Sequence, residues 1–314
     1  MTDLLEKTAT ANDFRRLVAD GELDLPLPGG GRTWARWQAL AALGARDLAM
    51  ARLAEGHTDA LAILAESGRN PVPGALYGVW AAKSGGTGAV LGDGVLSGTV
   101  RFCSGAHLLD RALVAAGDLL VDVDLHGGGI ERDERSWQAI GMAASDSADV
   151  TFHRVPIGTE DVIGGEGWYV SRPGFAHGGC GVAAVWLGGC RGVAGDVSAY
   201  LSDREPDEHQ LAHLGAIHTA MAASEALLKR TADMIDSGTS QDAVPATRLC
   251  RAAVEDCAMR VLAQAPKATG PAPLCRDRAF AQRQADLLVY VRQQHGEREL
   301  AAIGRGLLSE GAAR

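Results

Sequence analysis

The sequence contains no run of about 18 apolar residues free of charge, the minimum for a membrane-spanning helix. Its opening, Met1-Thr2-Asp3-Leu4-Leu5-Glu6-Lys7, is too charged to begin a secretory signal. Positive charge is in deficit, with 30 Lys and Arg against 39 Asp and Glu, a net charge of −9 and a pI near 5.5. That balance argues against a protein that tracks nucleic-acid phosphates, although it leaves room for a local basic pocket around one phosphorylated ligand. The six cysteines (Cys103, Cys180, Cys190, Cys250, Cys257, Cys275) include no C-x-x-C pair and have no companion histidines at zinc spacing. They read as reduced, mostly buried small residues. Internal repeats and low-complexity segments are also missing. These absences lead us to expect a cytoplasmic protein with no nucleic-acid, membrane or metal partner.

What is present is ample core-forming material, 46% apolar residues in a chain of 314. Residues 10–67, within an N-terminal part of residues 1–70, carry helical signals. Asn12-Asp13 precede Phe14, Leu17 and Val18, and the run from Trp34 to Leu64 repeats apolar residues at helical spacing. From Asn70 the composition changes, because Pro71, Pro73 and Gly74 break the helix and short strands follow. Strands are expected at Leu76–Ala82, Val95–Cys103, Arg111–Ala116, Leu119–Leu125 and Ser147–Val155, with hairpin turns at Leu91–Gly94 and His126–Gly129. Residues 71–163 therefore read as a central β-barrel or sandwich. Residues 164–314 return to helix, over roughly 174–201, 207–237, 243–265 and 276–308, with Leu211, Leu214, Ile217, Met221, Leu227 and Leu228 near a 3.6-residue period. Four long helices with short connections make a bundle. The fold class is α+β: a short helical N-terminal part, a β middle and a C-terminal four-helix bundle.

One segment is more specific than this outline. Gly141-Met142-Ala143-Ala144-Ser145-Asp146-Ser147 enters a strand in which Val150, Phe152 and Val155 alternate with polar residues until Pro156 stops the ladder. This resembles the strand that closes the β-domain of acyl-CoA dehydrogenases, whose usual pattern is G-M-R-A-S-x-T-x-x-V-x-F-x-x-V-x-V-P. Leu96 through Ala106, containing Arg101-Phe102-Cys103-Ser104-Gly105, resembles the family's L-x-G-x-K-x-W-I-T-N-G segment. Arg276-Asp277-Arg278 through Arg283 is similar to the stretch before its last helix.

The resemblance implies FAD as cofactor, a homo-oligomer or a hetero-oligomer with an intact relative, and an acyl thioester or related small molecule as substrate. It places Phe102 and Ser104 against the flavin ring, a reasonable use of an aromatic face and a hydroxyl. The competing reading packs Phe102 inside the barrel and leaves Ser104-Gly105 as a turn. Arg204 takes the place of an arginine that reaches the flavin pyrophosphate, and Gln264 through Gly270, with Lys267, that of a glycine loop at the adenylate end. The ordinary alternatives are a helix-terminal arginine and a solvated lysine. Arg172 and His177 are the polar residues nearest the family's CoA-facing positions. Lys83 through Gly88 lies where another cofactor loop is expected, and reads equally as an anion nest or a plain hairpin connection.

The largest departure concerns the base. Dehydrogenation of an acyl thioester needs a carboxylate for the α-proton, yet eight residues beyond Asp286 the chain has Gln294. An amide is no base. His295 and Glu297 are the neighbouring substitutes, unless Arg292, Glu297, Arg298 and Glu299 are simply a charged helix face. Three functions follow from the resemblance: an acyl-CoA dehydrogenase-like oxidoreductase, a reduced-flavin monooxygenase that needs no such base, or a flavin-free subunit of an intact relative.

Overall fold

The computed structural model describes residues 2–82, 88–238 and 240–312, so most of the Lys83–Gly88 loop lies outside the described residues. The chain divides into two compact units, one of residues 1–25, 52–139 and 143–175, the other of 26–51, 140–142 and 176–314. Residues 1–70 are thus shared between the units and form no subdomain of their own.

The first unit is built on a sheet. Its strands are β1 (Tyr77–Trp80), β2 (Ala89–Gly92), β3 (Val95–Cys103), β4 (Arg111–Ala116), β5 (Leu119–Asp124), β6 (Ile130–Asp133), β7 (Ala148–Pro156) and β8 (Val162–Ile163). They hydrogen-bond in the order β6-β7-β3-β2-β4-β5-β8, with β1 parallel to β4. Of the two expected hairpin turns only the first joins paired strands. Asp93 (φ 51°) and Gly94 (φ 70°) turn β2 into β3 with both central residues left-handed, as a two-residue hairpin requires. His126–Gly129 instead connects β5 to β6, which pair with other strands. β2 and β8 are too short to stand out in the sequence, and β6, Ile-Glu-Arg-Asp, is too polar.

The closing strand keeps its alternation. Val150, Phe152 and Val155 are buried, and β7 runs antiparallel to β3 through pairs such as Val100 with Val150 and Leu96 with Val155. Beneath the sheet, Ala60, Ile63 and Leu64 from the end of α3 (Leu48–Glu66) meet Tyr77, Leu113, Leu120 and Ile163 in one apolar cluster. α1 spans Thr2–Ala19, so Asn12-Asp13 lie inside it instead of starting it; Phe14 and Leu17 on its buried side fix its extent.

The second unit is helical: α2 (Thr33–Arg46), α5 (Pro173–Ser202, after the single turn α4 at Trp168–Ser171), α6 (Glu208–Asp236), α7 (Ser240–Thr269), α8 (Pro271–Arg276), α9 (Arg278–Tyr290) and α10 (Gly296–Ala312). The helix expected over 276–308 is broken, because a 3-10 turn at Val291–Gln294 is followed by His295 (φ 61°) and Gly296 (φ 36°), both outside helical space. The apolar run from Trp34 to Leu64 is likewise split at Asp47, whose φ of −153° ends α2.

Glycine sets the closeness of the helices. A Cβ at Gly188 of α5 would collide with the Ala41 backbone of α2, and one at Gly44 of α2 with the Val185 carbonyl of α5. The same logic explains Gly141: a Cβ there would strike the Ala285 carbonyl on α9. Met142 (φ 60°) then donates its backbone N–H to the Asp286 carboxylate at 2.5 Å. Burial holds the Asp286 carboxyl above its ordinary pKa, against the opposing pull of that bond and of one from Gln282.

Candidate functional site

In the sheet unit the candidate residues sit where β3 runs out. Phe102 has φ 60°, a conformation that costs a non-glycine residue about 1–2 kcal/mol, and is 54% exposed. It is therefore not packed inside the sheet, and its ring is an open apolar face. Its N–H donates to Asp149 Oδ1 at 3.3 Å, which helps hold the turn. Cys103, the next residue, is fully buried, and that burial pushes its thiol pKa far up, leaving it inert at neutral pH.

Ser104 lies just below the surface in a chain of hydroxyls. Its Oγ is 3.0 Å from Ser147 Oγ, which is 2.8 Å from Ser145 Oγ. Trp80 Nε1 donates to the Ser104 carbonyl at 3.0 Å. Gly105 and Ala106 donate their N–H groups to the carbonyls of Ser145 and Asp146, both at 2.9 Å. The loop after β3 and the turn before β7 are thus zipped together, so the two segments that carry the resemblance form one rigid feature. A cavity behind Ser104, lined by Arg52, Tyr77 and Leu109 among others, measures about 10 Å³, room for one water and no organic ligand.

Arg172 is tied into the same unit. Its side chain is 2% exposed, its Nη1 donates to Glu66 Oε2 at 2.6 Å, and its guanidinium lies 5.4 Å from the Tyr169 ring centre. The other Glu66 oxygen accepts from Gly174 N at 3.0 Å. A buried guanidinium bound in this way closes the entry to α5, which is a structural task. His177 belongs to the other unit, half-buried near Gly29. The two residues read as CoA-facing therefore fall in different units.

In the helical unit Arg204, Gln264 and Lys267 come to one end of the bundle. Asp207 caps α6, and its capping partner Gln210 donates to the Ala268 carbonyl at 3.0 Å, joining the α5–α6 turn to the end of α7. Arg204 is exposed, stacks 3.7 Å above the Tyr200 ring and donates to the Tyr200 carbonyl at 2.5 Å. Gln264 Oε1 pairs with His213 Nδ1 at 2.7 Å, and Lys267 is exposed. The expected glycine-type loop does not form. Residues 264–269 continue α7, so their N–H groups, which Pro266 lacks, lie within a helix instead of facing outward as an anion cradle.

Gln294 is 1% exposed. Arg251 Nε donates to its Oε1 at 3.0 Å, while other nitrogens of the same guanidinium donate to the Gly179 and Gln293 carbonyls. The guanidinium also lies 4.9 Å from the Trp186 ring centre. Since arginine only donates, the amide must present its oxygen to Arg251. A Cβ at Gly179 would stand 3.4 Å from Arg251 Nη1, in van der Waals contact with the guanidinium. His295 and Glu297 are exposed, and Glu299 is paired with Arg248 at 2.9 Å. Sequence reasoning found Gln294 but missed Arg251, which lies 43 residues away and belongs to no motif.

Residues 165–295 match the family model for the acyl-CoA dehydrogenase C-terminal domain. No curated protein matches the chain in sequence. Among solved structures, the methanesulfinate monooxygenase MsuC from Pseudomonas fluorescens superposes with a TM-score of 0.78 at 18% identity, over 98% of this chain and 97% of that one. The dibenzothiophene monooxygenase TdsC from Paenibacillus sp. A11-2, in a complex with FMN and indole, gives 0.75 at 17% identity over 99% and 98%. KijD3, bound to FMN and a dTDP-sugar, gives 0.77 at 18% over 90% and 81%. At such identities the likeness is one of fold. The matched model is that of the acyl-CoA dehydrogenase C-terminal domain, and the segment it covers contains Gln294, where the resemblance leads one to expect a carboxylate.

Proposed function

We propose that the chain is a reduced-flavin-dependent monooxygenase, not an acyl desaturase. The observation that carries this reading is Gln294. Removing an α-proton requires a group that accepts one, and an amide whose oxygen is already bound by an arginine does not. The nearby substitutes are no better placed, since Glu299 is engaged by Arg248 and His295 and Glu297 face outward. Oxygen insertion needs no carboxylate at this position, and two of the similar structures are named as monooxygenases.

The sheet unit fits a flavin. Phe102 offers an unpacked ring face, held by its turn, and the Ser104 hydroxyl is fixed by Ser147 beside it. These two residues would hold the ring system, which when bound supplies two electrons to dioxygen. Flavin mononucleotide suits the chain better than the dinucleotide. The adenylate end would call on the Gln264–Lys267 stretch, which is helical, and on Arg204, whose guanidinium caps its own helix. FMN is also the flavin bound in TdsC and KijD3.

Purified protein mixed with excess FMN should show a perturbed flavin spectrum between 350 and 500 nm. Supplied with reduced FMN and indole as a test aromatic, it should consume oxygen in step with indole oxidation. A colourless protein that never binds flavin, or anaerobic desaturation of an acyl thioester, would sink the proposal.

A further inference from the structure

The loop after β3 carries one more group that the resemblance does not account for. His107 lies three residues beyond Ser104, on the segment zipped against Ser145–Ser147. Asp146 grips it twice: Oδ2 accepts the His107 backbone N–H at 2.7 Å, and Oδ1 stands 3.0 Å from the ring Nδ1. A carboxylate only accepts, so Nδ1 must carry the proton and the Nε2 lone pair faces outward. The ring keeps 38% of its surface exposed and has the Glu134 carboxylate 3.8 Å from Nε2. Asp146 is held at φ 50°, a left-handed conformation, and its own carbonyl accepts from Ala106. The side chain that orients the histidine is thereby rigid as well as close.

Two other histidines pair with carboxylates in this unit, His126 with Asp110 and His153 with Glu131. Both rings are more exposed, at 71% and 58%, and neither has its backbone and ring held by one carboxylate. They look like ordinary surface pairs, whereas His107 has the fixed tautomer and open nitrogen of a proton carrier.

We infer that His107 is an acid–base residue of the sheet unit's site, that Asp146 is its positioning residue, and that Nε2 hands protons to the oxygen species reduced there. The inference rests on the flavin reading above. In the simplest reaction, the singly protonated reduced flavin anion, dioxygen and one proton give oxidised flavin and hydrogen peroxide; two electrons and one proton would leave the flavin, and the His107 imidazolium would supply the other proton from Nε2 and recover it from solvent. The hydrogen bond from Asp146 raises the His107 pKa most. Partial burial and the Arg132 cation oppose that rise, while the Asp146 and Glu134 charges assist it. The imidazolium is the competent acid, so reoxidation should quicken as pH falls through the His107 pKa.

Two measurements test this on the full chain. Proton NMR of the His107 ring should give a titration midpoint that drops by about one pH unit in Asp146→Asn, and the ring resonances should shift when FMN is added. In stopped flow, photoreduced FMN bound to the protein is mixed with aerobic buffer. The pH profile of reoxidation should bend at the same midpoint, move down with it in Asp146→Asn, and lose the bend in His107→Gln with a fall of about 100-fold at low pH. If FMN binds but His107→Gln reoxidises with the wild-type profile, the inference fails alone. If FMN does not bind, the flavin reading fails and takes the inference with it.

Discussion

The two units are held together by different means. In the sheet unit, polar groups are buried and must be satisfied: His57 is 3% exposed and accepts the Tyr77 N–H at Nδ1, Arg172 is sealed against Glu66, and Asp122 is shared by Arg111 and Tyr77. In the helical unit, glycines let helices approach closely, Gly44 and Gly188 against facing backbone and Gly189 against the Leu48 and Leu287 side chains. A polar core is sensitive to protonation; a glycine-spaced core is sensitive to one methyl group. This contrast teaches where each unit should break.

The largest effect should come from pH acting on the sheet unit. Burial lowers the His57 pKa from 6.5 to about 4, so the folded state favours the neutral ring. The contribution is fully present above pH 6.5 and is lost as pH falls from 6.5 toward 4, on the order of 3 kcal/mol. Urea unfolding at pH 7 and pH 4.5 should show a larger drop for the wild type than for His57→Gln; equal drops would deny His57 this role.

The next effect is a pair of opposite signs within one helix. Gly188→Ala gains about 1 kcal/mol of helix propensity, but its methyl meets the Ala41 backbone, which cannot swing aside as a side chain would. A net loss of about 2 kcal/mol is expected. Gly195→Ala faces nothing within 4 Å and should gain about 1 kcal/mol. Thermal melts of both variants decide the matter, and two losses would mean that spacing is not what these glycines differ in.

The smallest stability effect would sharpen the link to function. Phe102→Gly removes a left-handed side-chain conformation worth about 1–2 kcal/mol but adds glycine's entropy cost, for a net gain of about 0.5 kcal/mol. If Phe102 covers a flavin, the same variant should bind FMN about tenfold more weakly in a fluorescence titration. Unchanged affinity would return Phe102 to the status of a strained turn residue.

Much of the fold was legible. β3 and β4 occur at the residues expected of them, and α5 and α6 lie within a residue of expectation, because glycine breaks bound the strands and the helices are long enough to bury the face their sequence marks. β2, β6 and β8 were not, whereas β1, equally short, falls within the expected Leu76–Ala82 because its apolar run extends past both of its ends. At the site, Phe102, Ser104 and Gln294 could be picked out from motifs. Arg251 and the His107–Asp146 pair could not, because each joins stretches that no local pattern connects.

The sequence by itself determined the order of helix, strand and helix, the segment that carries the family resemblance, and the presence of Gln294 where that resemblance expects a carboxylate. These are properties of neighbouring residues and of single positions. Only the tertiary structure decided that Arg172 is spent on Glu66, that Gln264 and Lys267 continue a helix, that the Phe102 ring is open, and that Arg251 fixes the Gln294 amide. Each of those depends on which distant group arrives to satisfy a charge, an N–H or an apolar face, and that is settled by packing.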